Sequence, residues 1–337
     1  MQSSIVVRIS TGNGFKNPSD MQKNTRDVAD INWDDLRYFL TVARTQTASA
    51  AAKRLGVDHT TVARRVRELE ASLNTVLFEK SRASGFTLTA EGQRLLSYAD
   101  AVETTVQSAS EQFTGGAYSL SGHVRVGSTE GFGSFFLAPQ LARFAQAHPD
   151  ITLDLLPVPH FVSLSKREAD VAILLERPER GQYIHTKLCD YRLRLYGTAE
   201  YLRNHPVMEK SEELREHAFI NYVSDLVFSP ELLYLDRAIP GATANFCTTS
   251  IVAQYHAVLL GTGLAILPCF MAELDERLIA VLPDEIAVTR HFWLCCREDL
   301  RKLRRVSVLW NYLREVAELN QLLLMGESSV MLFSPGL

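Results

Sequence analysis

The stretch "AAKRLGVDHTTVARRVRELE", residues 51–70, limits the fold more than any other. Val62, Val66, Leu69 and Leu73 recur at intervals of four, three and four, which places them on one face of an α-helix. Ahead of it, Ala48 to Leu55 reads as a short alanine-rich helix, and Gly56 supplies the permissive dihedrals for a tight turn between the two. Asp58 stands where an N-cap is wanted. Two helices joined by a glycine-containing turn, with small side chains where they approach, form a helix-turn-helix pattern. Trp33, Leu36, Phe39, Leu40 and Ala43 add a helix over 33–45. Downstream, "VLFEK" (76–80) and "FTLT" (86–89) read as short strands around "SRASG", a hairpin with Gly85 at its turn. A hairpin in that place is the wing of a winged domain.

The same stretch concentrates charge. The chain carries a formal net charge of −4, yet Lys53, Arg54, Arg64, Arg65 and Arg67 face only Asp58 between positions 53 and 67. A run of cations is ordinarily a solvated helix face. Here it lies on the second helix of a helix-turn-helix and is followed by a basic wing tip, Lys80 and Arg82. That combination suits phosphate neutralisation on DNA. A recognition helix enters the major groove with its N-terminal residues first. His59, Thr60 and Thr61 would then lie nearest base edges, with Arg64 one turn on.

After Thr89, a second candidate cap, a long helix is expected to about Phe113. Leu95, Ala99, Val102, Val106, Ala109 and Phe113 alternate in steps of four and three, a heptad seam. Such a helix either lies on its own domain or joins two copies; its position before the linker "GGAYSLSG" (115–122) favours a dimer seam. Residues 1–31 are polar without apolar period and read as a disordered extension, or as an over-long start with Met21 as the alternative. They lack the basic and apolar regions of a signal peptide, and no apolar run is long enough to span a bilayer. A cytoplasmic protein is expected, with no membrane partner.

From His123 strands alternate with helices, which implies an α/β fold with a mostly parallel sheet. Two such units with two crossings between them suit a two-lobed domain that closes on a small ligand. Signs of catalysis are absent. "GSTEG" (127–131) has its serine in the wrong place for a nucleophile elbow, "GTGLAI" (261–266) has Ile266 where a dinucleotide fingerprint needs glycine, and no HExxH occurs. No enzyme, cofactor or metal site is expected. The loop "GSTEGFG" (127–133) follows a strand and opens a helix. Its backbone N–H groups could hold an anionic or polar ligand, with the Ser128 and Thr129 hydroxyls adding hydrogen bonds, or the loop could simply cap the helix. Glu130 disfavours an anion if it points inward and could pair with a cation. The five cysteines, Cys189, Cys247, Cys269, Cys295 and Cys296, show no CxxC spacing and read as reduced core thiols. Adjacent Cys295 and Cys296 on a strand would face opposite ways.

"LRYFLTVARTQTASAAAKRLGVDHTTVARRVRELEASLNTVLFEKS…FTLTAEGQRLL" resembles the winged helix-turn-helix of LysR-type transcriptional regulators, and "DVAI" (170–173) and "GTGLAILP" (261–268) resemble recurring features of that family's effector domain. The resemblance implies a winged helix-turn-helix over 32–90 and a linker dimerisation helix over 91–114. It implies a periplasmic-binding-protein-like effector domain over 122–320, with subdomains at about 122–193 plus 292–320 and about 194–291, and residues 321–337 left as a flexible tail. DNA contacts would come from Ser49, His59, Thr60, Thr61, Arg64, Arg65, Arg67, Lys80 and Arg82. Effector contacts would come from Ser128, Thr129, Glu130, Phe132, His160, Phe161, Asn221, Thr249 and Ser250. The implied partners are double-stranded DNA with an interrupted inverted repeat, a small-molecule effector, a second copy or three in a homodimer or homotetramer, and RNA polymerase. Asp58, His59 and Thr60 depart from the Ser, Gln and Pro frequent in the family, and Ala63 from a frequent Ser, which bears on base preference. Asp58 near phosphate would be repulsive unless its carboxylate turns back to cap the helix. Two alternatives stay open: an enzyme with an attached DNA-binding domain, and a regulator worked by protein contacts or cysteine oxidation without a ligand.

Overall fold

The computed structural model describes residues 31–81, 85–113, 120–160, 164, 168–178 and 181–336. The chain divides into two compact units between Asp100 and Ala101. The first holds helices α1 (Trp33–Thr45), α2 (Ala48–Leu55) and α3 (His59–Leu73), strands β1 (Phe78–Ser81) and β2 (Gly85–Leu88), and the start of α4 (Ala90–Phe113). The helix-turn-helix falls where the periodicity placed it. Val62, Val66 and Leu69 are buried against Phe39, Leu40, Val42 and Ala51 in one core. Burial of each such side chain contributes about 1.5–3 kcal/mol relative to leaving it in water. Gly56 ends α2 in the left-handed region at φ 67. Asp58 occupies the N-cap position of α3 with extended backbone, but its side chain makes no capping hydrogen bond. The expected carboxylate cap is therefore not formed.

The wing is tied to the helices by specific polar contacts. Its strands pair antiparallel from Phe78 with Leu88 to Ser81 with Gly85, two residues later in β1 than the hydrophobic run suggested. Glu70, near the end of α3, accepts hydrogen bonds from the Leu77 and Phe78 N–H groups at 2.9 and 3.2 Å. The Phe86 N–H donates to the Gln46 carbonyl at 2.8 Å. Thr89 caps α4, accepting from the Gly92 N–H at 3.0 Å. The seam of α4 splits in two. Ala99 and Leu95 pack into the winged core, whereas Val102 and Val106 are exposed, as is the neighbouring Tyr98.

The second unit begins with β3 (Gly122–Thr129), a π-helical turn (Phe132–Leu137), α5 (Ala138–Ala147), β4 (Ile151–Val158) and β5 (Val171–Leu174). Then follow β6 (Tyr183–Thr198), α6 (Ala199–Asn204), β7 (Phe219–Tyr222), α7 (Leu235–Ala238), β8 (Ala244–Thr248), α8 (Ile251–Leu259), β9 (Ala265–Pro268) and α9 (Cys269–Ala272). It closes with β10 (Leu278–Val281), β11 (Ala287–Arg297), α10 (Glu298–Arg301), α11 (Arg304–Leu319) and α12 (Gln321–Leu324). The main sheet runs β10-β6-β11-β5-β3-β4, with β9 also on β6, and β7 pairs separately with β8.

Contrary to the expected mostly parallel sheet, this one is mixed. Only β3, β4 and β5 are mutually parallel, while β6 and β11 run antiparallel along their length. These two long strands serve both lobes. The end of β11 pairs with β5 in the first lobe, and the end of β6 pairs with β9 and β10 in the second. The sequence "LSKREA" (164–169) reads as a short helix, and it falls partly on residues 165–167, outside the described residues.

The expected flexible tail is instead folded onto the first lobe. Asn320 Nδ2 donates to the Leu332 carbonyl at 2.9 Å, and Asn320 Oδ1 accepts from the Leu332 N–H at 2.7 Å. Buried Gln140 donates to the same carbonyl at 2.7 Å, and the Arg143 guanidinium lies 3.8 Å over the Phe333 ring. The apolar runs Leu322–Met325 and Val330–Phe333 are separated by a polar loop and show no helical or strand period, so this anchoring could not be read from pattern.

Replacing Glu70 by Ala should destabilise the winged unit by about 1–3 kcal/mol, because two buried N–H groups lose their acceptor. Glu70→Gln, which keeps a carbonyl oxygen, should recover most of that loss. Chemical denaturation of the intact chain, followed by hydrogen exchange at Leu77 and Phe78, measures both.

Candidate functional site

Two surfaces carry chemistry. The first is the front of α3. His59 and Thr60 are exposed, as are Arg64, Arg67 and Ser49 of α2, while Thr61 is half-buried. Arg64 reaches only its own helix, pairing with Glu68 at 2.7 Å. Arg67 donates to the Ala63 carbonyl at 3.1 Å. Both can swing to an external phosphate. Arg65 behaves otherwise: it pairs with Asp35 at 3.0 Å and Asp34 at 3.7 Å, and its guanidinium lies 5.8 Å from the Tyr38 ring centroid. It braces α3 against α1, unlike Arg64 and Arg67. Lys80 lies on β1, and Arg82 is outside the described residues.

The second surface is a cleft between the lobes of the second unit. Rings from both lobes and from the shared strands meet at its floor. Phe132 stacks on Phe136 with centroids 4.8 Å apart and lies 4.2 Å from Phe292, which in turn stacks on Tyr191 at 4.2 Å. Phe270 meets Phe132 edge-on at 5.4 Å. Offset and edge-to-face pairs of this kind each contribute about 0.5–1.5 kcal/mol beyond burial. Above this floor a cavity of about 450 Å³ opens, lined by Thr129, Glu130 and Phe132 from the first lobe and Tyr222, Phe228, Tyr234 and Thr249 from the second. A neighbouring cavity of about 440 Å³ shares Thr129, Leu175 and Phe228 and adds Ser128, His160, Glu176 and Ser229.

Carboxylate–hydroxyl hydrogen bonds bridge the lobes on both sides. Ser250 caps α8, accepting from the Ala253 N–H at 3.0 Å, and donates to Glu130 Oε1 at 2.9 Å. Ser229 donates likewise to Glu176 Oε1. Glu130 Oε2 and Ser128 Oγ are buried without a hydrogen-bond partner. Close approach is built into the loop: a Cβ on Gly131 would stand 2.8 Å from Met271 Sδ and 2.9 Å from Ile251 Cγ2. Any larger residue there would push α8 and α9 away.

The structure thus gathers Ser128, Thr129, Glu130, Phe132, His160 and Thr249 on the cavities, with Ser250 at their edge. Phe161 falls outside the described residues. Asn221 is not on the lining. Its neighbour Tyr222 is, because successive strand residues face opposite ways. Tyr191, Tyr222, Tyr234 and Phe292 were missed from sequence. The alternation Tyr191, Leu193, Leu195 was the available signal for the first.

Burial pushes the Cys295 and Cys296 thiols up to about 12 and raises those of Cys189 and Cys269. A thiol redox centre needs the opposite shift. Cys295 and Cys296 do face opposite cores. Cys247 is exposed. Among the described residues no group of His, Cys, Asp or Glu is placed to hold a metal, and no helix is long and apolar enough to cross a membrane.

A three-helix unit with a wing and a basic third helix, followed by a two-lobed domain with a ring-floored cleft, defines a DNA-reading regulator with a binding-protein-like module. Residues 33–93 match the family described as "Bacterial regulatory helix-turn-helix protein, lysR family", and residues 118–318 match the "LysR substrate binding domain". The chain belongs to the LysR family of transcriptional regulators. It is 27% identical over 274 residues to the Mau operon transcriptional activator of Paracoccus denitrificans, covering 80% of this chain and 91% of that one. It is 27% identical over 288 residues to the HTH-type transcriptional activator TtdR of Escherichia coli, covering 83% and 91%. Its fold is similar to CrgA from Neisseria meningitidis (TM-score 0.53, 24% identity, 85% and 98% covered) and to a full-length OxyR variant from Pseudomonas aeruginosa (TM-score 0.59, 20% identity, 84% and 97% covered).

The position of α8, and with it Ser250, depends on Asp275. The Arg277 guanidinium holds the Asp275 carboxyl well below the usual carboxylate range, against burial, and the Tyr255 hydroxyl of α8 donates to it at 2.6 Å. A carboxyl depressed in the folded state stabilises fully above its unfolded pKa of about 3.9 and loses that contribution as the pH falls further. Asp275→Asn should therefore destabilise the second unit by about 1–2 kcal/mol at pH 7. The deficit should shrink below about pH 4, as read by melting of variant and parent across that range.

Proposed function

We propose that this regulator senses a small molecule in the cleft at residues 128–132 and converts lobe closure into a change in how its copies sit on DNA. The observation that carries this reading is the Glu130–Ser250 hydrogen bond, which joins the two lobes through a residue that lines the ring-floored cavity. A ligand there contacts both lobes, so its affinity differs between open and closed arrangements. Such differential affinity is the requirement for shifting a conformational equilibrium. The exposed Val102 and Val106 on α4 support a homodimer or homotetramer joined through that helix. A two-fold assembly places two α3 helices on half-sites of an interrupted inverted repeat.

The DNA half is tested by a contrast between neighbouring arginines. Arg64→Ala should weaken DNA binding and reduce the salt dependence by about one counterion, with stability unchanged. Arg65→Ala should instead lower the melting temperature of the winged unit, because Asp35 loses its partner. Footprinting and a salt titration on the DNA beside the chain's own gene read the first, and thermal melting the second. Equal loss of DNA affinity at unchanged stability in both variants would overturn the division.

The sensing half is tested by ligand-induced melting shifts of the intact chain with a metabolite collection. Ser128→Ala combined with Thr129→Ala should abolish shifts seen in the parent while leaving DNA binding intact. A retained shift would place the ligand elsewhere.

A further inference from the structure

The charge on the cleft walls is one-sided. Glu130 lines the main cavity and Glu176 the neighbouring one, and among the described residues neither lining includes a lysine or arginine. Arg290, on β11, is close enough to act on the lining residues Tyr191 and Tyr234, and it is held by Glu231 at 2.6 Å. Arg177 stands in an outer hollow that Glu176 shares. Bringing an anionic ligand to the cleft would set like charges against each other with no positive group to offset them.

The polar groups inside are short of donors. Glu130 Oε1 is met by Ser250, but Oε2 is buried with no partner, and Ser128 Oγ, on a residue only 2% exposed, also lacks one. A carboxylate accepts and does not donate. The remaining walls are rings, and Tyr222 lies close enough to Glu130 for that carboxylate to raise its hydroxyl pKa further, after burial. Burial likewise raises the Tyr191 and Tyr234 hydroxyls. Neutral aromatic faces attract cations through their quadrupoles.

Resting on the cleft reading above, the geometry points to a cationic effector: an ammonium or alkylated ammonium group carried on an aromatic or aliphatic body. The charged head lies at Glu130, donating to Oε2, with Tyr222 beside it. The body lies on the Phe132–Phe292–Tyr191 floor. An ammonium group supplies the donor that Glu130 Oε2 lacks.

The test uses the intact chain and a panel of aryl- and alkylammonium ions, each beside its isosteric neutral alcohol and its isosteric carboxylate. Affinities come from calorimetry, and location from hydrogen exchange at residues 128–132. At least one ammonium ion should bind tenfold or more tightly than both its isosteres and protect that loop. Glu130→Gln keeps an oxygen for Ser250 but removes the charge. It should erase the tenfold preference while leaving the melting temperature within a few degrees of the parent. If an alcohol or carboxylate binds best, or if no ammonium ion exceeds its isosteres, the cationic assignment is overturned. Persistence of the preference in Glu130→Gln overturns it as well. The cleft reading fails separately: panel members would then bind without protecting residues 128–132, whatever their charge.

Discussion

The pairing of β6 with β11 is the constraint on which the second unit depends. These strands run antiparallel through both lobes, and their register shifts between Phe292 and Trp293. Before the shift Phe292 opposes Cys189, and after it Trp293 opposes Lys187. A bulge of this kind adds local twist and re-aims side chains. Here it falls next to the ring that meets Phe132 of the first lobe and Tyr191 of β6. The cleft floor is therefore built on the two strands that the lobes share.

The basic helix obeys a different economy of contacts. Its apolar face makes the core, and Glu70 at its far end fixes the wing. Of its three arginines only Arg65 is drawn inward, where Asp35 and Asp34 neutralise it. The clustering that looked like one surface is two. Arg64 and Arg67 remain on the outer face with exposed His59 and Thr60, while Asp58 leaves an exposed, uncapping carboxylate at the leading end of the helix. A negative group there discourages close approach to phosphate, so the front of the helix differs in charge as well as shape from the Ser, Gln and Pro frequent in its relatives.

Much of this was legible in sequence because it rests on local periodicity. The first three helices, the Thr89 cap and the strand–loop–helix at 127–133 all follow from spacing of three, four or two and from capping chemistry. What was not legible depends on partners distant in the chain. The first half of β6, "YIHTKLCD", is too polar to read as a core strand, and it is held by β11 a hundred residues away. Asn221 was expected in the cleft where Tyr222 stands, since a strand's facing cannot be fixed without its neighbours. Arg65 looked like its companions until α1 was placed beside it. The tail over 321–337 has no period, yet one asparagine and one glutamine hold it.

The unpartnered Glu130 Oε2 also bears on how small the conformational step is. A buried polar group without a partner costs about 1–3 kcal/mol. The Ser250 bridge to the same carboxylate is charge-assisted and contributes about 1.5–3 kcal/mol in return. On the proposed lobe closure, the two contributions at this residue are of similar size and opposite sign. A ligand that donates to Oε2 removes the penalty while the Ser250 bond is retained. The closed arrangement then gains on the order of 1–3 kcal/mol, the usual scale of coupling between two sites. A fully satisfied carboxylate at this position would have held the lobes together whether or not a ligand was bound, and would have left nothing for the ligand to change.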